Sequence, residues 1–243
     1  MFSEVYIKLP DIKTAYSYSC SRRGTCSYSD ESTKKGNIEM VRDINARYGS
    51  IIKTWSDTFK IPVGVIVGFI ATESGGKMLG PNQYQATGLM QVTPAAIFDS
   101  ARKWNTEVNK STPLPDSARR LLTSKIPNFF TAKTLSSVSG SILRNLEKDA
   151  NFNIMSGTLV LRWLIERFTD DSGVSKSLNK AMVAYNAGAY RVVLGSSKTG
   201  RETPIDSTSL ATNRAVPLES RSYLYKMLGK DGFLELIYKY RAI

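Results

Sequence analysis

Apolar residues in this chain recur at helical steps and almost nowhere alternate. From Asn37 onward, Ile38, Val41, Ile44, Tyr48, Ile51, Ile52, Trp55 and Phe59 fall mostly three or four positions apart. That spacing predicts one long amphipathic helix capped by Asn37. Pro62 suits the first position of the next helix, where a missing N–H costs nothing. The run from Val63 to Ala71 is apolar all round, which predicts a buried helix. Gly64 and Gly68 stand four apart in it, a spacing for close helix packing, since the segment is short for a membrane dimer motif. The run ends at Glu73, followed by Ser74, Gly75 and Gly76. A carboxylate at the end of an apolar helix needs a reason.

A Gly-, Gln- and Asn-rich loop continues to Thr87, and Thr93-Pro94 opens a helix ending near Trp104. Residues 105–149 carry three prolines with many serines and threonines, and read as an irregular insertion with one or two short helices. Further helices are expected near 152–169, 174–185, 217–228 and 231–241, with a polar loop at 195–215. Residues 1–36 show no sustained period and read as an N-terminal arm. The fold class is therefore mostly α, with an arm at 1–36 and one domain at 37–243 interrupted at about 105–149.

Composition narrows the chemistry. The 243 residues include no histidine, and 33 Lys plus Arg against 21 Asp plus Glu give a net charge of +12. Without imidazole there is no Ser-His-Asp or Cys-His nucleophile, and two cysteines cannot complete a four-thiolate zinc site. Proton transfer falls to Glu, Asp, Lys or Tyr, and neither a metal nor a cofactor is expected. The positive charge suits an anionic partner, and equally serves solubility. Cys20 and Cys26 stand close together in a Tyr- and Ser-rich tract, leaving a short disulfide loop and two free thiols both open. Glu4, Lys8, Asp11 and Lys13 interrupt the start, so no secretory signal is visible, as would hold after its removal. The stretch Ile61 to Ala71 is too short to span a membrane, so no transmembrane segment is expected.

Glu73 draws the chemistry to itself. Burial disfavours the charged form of a carboxyl, and a protonated carboxyl can donate to a leaving oxygen. Glycosidases ordinarily pair two carboxylates. Between Glu73 and Asp99 there is no Asp or Glu, which favours a reaction needing one carboxyl.

Five segments then carry a resemblance. They are Glu73-Ser74-Gly75, Gly88-Leu89-Met90-Gln91-Val92 with Pro94, Asn153-Ile154 with Gly157, Ala184-Tyr185-Asn186-Ala187-Gly188, and Glu219-Ser220-Arg221-Ser222-Tyr223. In this order the chain resembles the lytic transglycosylases related to goose-type lysozymes, over about residues 40–235. The resemblance implies a lysozyme-like transglycosylase domain that cleaves peptidoglycan glycan strands. Glu73 matches the family's acid/base, and Gln91 a residue that hydrogen-bonds sugar groups. Met90, counted with the substrate-binding residues, is expected to pack beneath the groove. Tyr185 matches a tyrosine that orients the catalytic carboxyl, with Asn186 and Gly188 shaping its turn. Glu219 and Tyr223 match the motif lining the far side of the cleft, and Arg221 is expected to pair with Glu219 or a stem-peptide carboxylate. Ser220, Ala189 and Thr93 depart from the usual residues, the 105–149 segment is longer than usual, and the arm has no counterpart.

Competing readings are a goose-type-like muramidase, in which water attacks C1, and a structural protein with a dead site. Nucleic-acid binding has no groove-reading motif behind it. A wall-cleaving chain without a visible export signal fits a bacteriophage virion acting at the host periplasm or wall. Residues 1–36 and 105–149 would then meet other virion proteins. An exported periplasmic enzyme is the alternative setting.

Overall fold

The computed structural model describes residues 19–20, 26–27, 31–104, 113–168, 177–188, 193–194, 203–204, 216–229, 231–239 and 241–243. Most of the expected arm, residues 105–112 of the insertion, the start of the 174–185 helix, most of the 195–215 loop and Ala189 lie outside the described residues. What is described is mostly α.

Helix α1, Glu31–Phe59, starts at Glu31 rather than at Asn37. Asn37 is no cap: it lies inside the helix and is buried. The added turns are polar, so periodicity could not reveal them. An ion pair from Lys34 to Asp231, 3.4 Å, gives them a distant anchor. Helix α2, Val63–Ser74, has all of residues 64–71 buried, as an all-apolar run requires. Pro62 is corrected by one position: at φ −55°, ψ 139° it precedes the helix, and its carbonyl accepts from Val65 and Ile66. Gly75 closes α2 in the left-handed region, its N–H donating to Ala71 O at 3.2 Å. Helix α3, Pro94–Lys103, begins as expected, with Thr93 Oγ1 accepting from Ala96 N at 3.1 Å.

Residues 113–149 form more of the core than an irregular insertion would. Helices α4, Asp116–Lys125, and α5, Ser139–Lys148, flank a 3-10 turn at Leu135–Ser137. Leu122, Phe129, Ile142 and Leu146 from this stretch are fully buried. Phe129 meets Phe98 and Phe130 edge-on at 5.8 and 5.0 Å, while the guanidinium groups of Arg102 and Arg119 lie over Phe98 and Phe130, each at 4.7 Å. The one or two short helices expected in this stretch are α4 and α5; what the pattern did not show is how much of the core they carry.

The remaining helices are α6, Ala150–Arg167, α7, Leu178–Ala187, α8, Leu218–Leu228, and α9, Phe233–Lys239. Two short antiparallel pairs complete the described elements. β1, Ser19–Cys20, pairs with β2, Cys26–Ser27, placing Cys20 opposite Cys26; β3, Val193–Leu194, pairs with β4, Thr203–Pro204. The chain divides into two compact units, one of Met1–Val41 with Leu164–Ile243, the other of Arg42–Trp163. In the first, α7 packs on α8, and α8 also meets α9 and β1. In the second, the core runs from Trp55 and Phe59 through Trp104, ring to ring.

Candidate active site

Glu73 occupies the last turn of α2, half-buried, two residues before the left-handed Gly75. Its neighbour Ser74 sends its hydroxyl to two carbonyls, Ile70 O at 3.2 Å and Leu89 O at 2.7 Å. The second bond leaves the helix. It ties the end of α2 to the turn that carries Gly88 through Gln91.

That turn is held from inside. Thr87 and Val92 exchange both backbone bonds at 3.1 Å. Asn153, fully buried on α6, faces the enclosed peptides. Its Oδ1 accepts from Met90 N at 3.0 Å, and its Nδ2 donates to Thr87 O and Leu146 O, both at 2.9 Å. The amide approaches so closely that only glycine fits at position 88: φ is 78°, and a Cβ would stand 2.0 Å from Asn153 Nδ2. One turn along α6, a Cβ at Gly157 would meet Met90 Sδ at 2.4 Å. Three of the five segments singled out in the sequence thus interlock within one unit.

Gln91 follows with φ 46°, half-buried, its Nε2 donating to Gly88 O at 2.9 Å. The amide retains a second N–H and a carbonyl oxygen, donor and acceptor for a polar ligand. Met90 has no exposed surface. It is a packing residue against Gly157 and reaches a ligand only through the turn it supports.

The other two segments meet in the other unit. Tyr185 and Asn186 end α7 half-buried, and Gly188 follows at φ 90°, its N–H on Ala184 O at 2.9 Å. Ser220 Oγ donates to Asn186 Oδ1 at 2.7 Å, joining α7 to α8. Glu219 is exposed in the first turn of α8, whereas Tyr223 is buried at 5% exposure and belongs to the core. The expected Glu219–Arg221 pair does not form among the described residues, because positions two apart on a helix do not face each other.

No family model and no curated protein matches the chain. The site's chemistry therefore rests on its own residues. Among the described residues no group of three or more Cys, Asp or Glu could hold a metal ion, and no helix is long and apolar enough to cross a membrane. Sequence reasoning named Ser74 and Asn153 without giving either a task. A polar residue in the otherwise apolar run Phe152 to Met155 was the available signal for Asn153.

Proposed function

We propose that the chain is a peptidoglycan lytic transglycosylase whose single acid/base is Glu73. The observation that supports this best is the Ser74–Leu89 bond, 2.7 Å, which sets the helix end bearing Glu73 beside the turn bearing Gln91. Two segments that the resemblance groups together are neighbours, and they bring the Glu73 helix end and the Gln91 amide into one local structure.

The reaction uses the carboxyl twice. Protonated Glu73 gives its proton to the glycosidic oxygen between N-acetylmuramic acid and N-acetylglucosamine, and the C1–O bond breaks. The 2-acetamido group of the substrate carries the developing positive charge, so no enzyme nucleophile is needed. The Glu73 carboxylate then takes the proton of the C6 hydroxyl, whose oxygen closes on C1 as a 1,6-anhydro end. The carboxyl returns to its starting state and no water is consumed. Gln91 would hold acetamido or hydroxyl groups of the strand. Tyr185, Asn186 and Glu219 enter this reading through the sequence resemblance alone. The setting that fits the reading is a phage virion opening the wall locally for DNA passage.

Glu73→Gln keeps the shape and removes the transferable proton. The expected result is loss of sacculus cleavage by at least a thousandfold, on the order of 4 kcal/mol in the barrier, with unfolding unchanged. Cleavage near the wild-type rate would remove Glu73 from the mechanism. Wild-type digests should contain muropeptide ends that borohydride cannot reduce; reducible ends would make the chain a hydrolase.

A further inference from the structure

Tyr84 is the most exposed large hydrophobic side chain among the described residues, at 75%. A lone exposed aromatic on a surface is ordinary and means nothing by itself. This one stands on a built platform. Asn82 Oδ1 accepts from the backbone N–H of Tyr84 at 2.8 Å and of Ala86 at 3.0 Å. Asn82 N donates to Ala86 O at 3.1 Å, and Gln85 N to Asn82 O at 2.9 Å. Thr87 Oγ1 holds Gln85 O at 2.9 Å, with Gln85 itself at φ 62°. The loop closes at its feet, where Gly88 N donates to Leu79 O at 2.7 Å. Those feet continue directly into the turn bound by Ser74 and Asn153.

Charge supplies a second, independent observation. The 21 residues from Met78 to Phe98 contain no Asp, Glu, Lys or Arg, in a chain of net charge +12. The stretch that carries Tyr84 and Gln91 is thus the one least suited to an anion. Its chain neighbours Asn82, Gln83 and Gln85 are all exposed. Amides offer donors and acceptors to hydroxyl and acetamido groups, and an exposed aromatic on a held backbone offers a flat apolar face. A neutral ring with an apolar C–H face and a polar rim matches both, and a pyranose is such a ring. Because the loop is already ordered, little conformational freedom is lost on binding.

We propose that Tyr84 is a stacking platform for an N-acetylated pyranose of the glycan strand, a subsite away from the bond that is cut. The proposal rests on the reading of Glu73 above. It separates two kinds of recognition in the molecule: a loop with no charged residue of its own reads the sugar backbone, and the lysines and arginines elsewhere meet the anionic parts of the wall.

The test uses the full chain carrying Glu73→Gln, so that ligand is not consumed, and adds Tyr84→Ala or Tyr84→Trp. Binding is measured to sacculi and to long and short soluble N-acetylglucosamine oligomers, alongside thermal unfolding. Tyr84→Ala should weaken binding to the long oligomers and sacculi about 2–10-fold, leave the shortest oligomers unaffected and leave unfolding unchanged. Tyr84→Trp should restore binding. If the Glu73→Gln chain binds long oligomers equally well with and without Tyr84→Ala, the subsite is overturned while the Glu73 reading stands. A wild-type chain that neither binds nor cuts sacculi overturns the Glu73 reading, and the subsite falls with it.

Discussion

Asn153 commits both amide N–H bonds and its carbonyl oxygen to three backbone groups of the protein interior. Replacing it with Ala would leave Met90 N and the carbonyls of Thr87 and Leu146 without that partner, each loss costing about 1–3 kcal/mol in a buried setting. Asn153→Ala is therefore expected to destabilise the protein by roughly 3–5 kcal/mol, read as a lower denaturant midpoint with unchanged slope. A loss of under about 1 kcal/mol would show that the turn holds itself. At this scale the sequence was informative about which residues matter and silent about why. Glu73 stood out because a charge closes an apolar run. Asn153 was visible as a motif residue, but its partners at Thr87 and Met90 lie 66 and 63 positions away, and local pattern carries no trace of them. Met90 and Tyr223 were counted with the substrate-binding residues through the resemblance, Met90 as one packing beneath the groove; burial assigns both to packing.

The elements differ in how plainly they could be read. Helix α2 was legible because burial on every side leaves an unbroken apolar run, and α3 because Thr-Pro is a local start signal with its own hydrogen bond. The early turns of α1 were not, and of α4 and α5 only the presence of short helices was, because which residues they bury is decided by contacts with distant elements. The junction of α5 and α6 shows such a contact at work. Asp149 sits there in extended conformation and caps α6, its Oδ1 accepting from Phe152 N at 3.0 Å. Its carboxylate also pairs with Lys125 at the end of α4, at 2.7 Å. Burial pushes the Asp149 carboxyl up, but the Lys125 hydrogen bond and charge, with the Phe152 N–H, outweigh it and hold the group below the usual aspartate range. A depressed folded-state value means stability that is present above the unfolded value near ~3.9 and lost as pH falls through the folded one. Asn still caps, so Asp149→Asn removes mainly the charge pairing. It should lower stability at neutral pH by about 1 kcal/mol or less, given the partial exposure of both groups. The gap between variant and wild type should narrow as pH falls below the unfolded aspartate value near ~3.9, and thermal unfolding across an acid pH series is the measurement. A gap that stays constant would assign the effect to shape.

For the molecule as a whole, the mostly-α class followed from periodicity, but the division into two units did not. One unit joins Met1–Val41 to Leu164–Ile243, and nothing local in a sequence announces that its ends meet. Net charge also acts at this scale. A +12 chain is drawn to an anionic polymer over distances that salt screens, about 10 Å at 0.1 M. Raising salt should weaken binding to intact sacculi and change cleavage of short soluble glycans little. Arg120, exposed on α4, should carry part of this; Arg120→Gln should reduce the salt slope without affecting unfolding. Arg119→Gln should do so at a stability cost of about 0.5–1 kcal/mol, because its guanidinium also covers the Phe130 ring. Sacculus binding indifferent to salt would give the charge another task.

The contact between β1 and α8 sets a timetable for synthesis. Arg42–Trp163 is continuous in the chain and can gather its core as soon as Trp163 has emerged from the ribosome. Ser19 and Cys20 are made early, yet the helix they pack on begins only at Leu218. At roughly 5–20 residues per second, the first strand waits about 10–40 s for that helix. During that interval the hairpin lacks the helix it packs on, so the first unit is completed only near the end of synthesis, whereas the second is complete well before it.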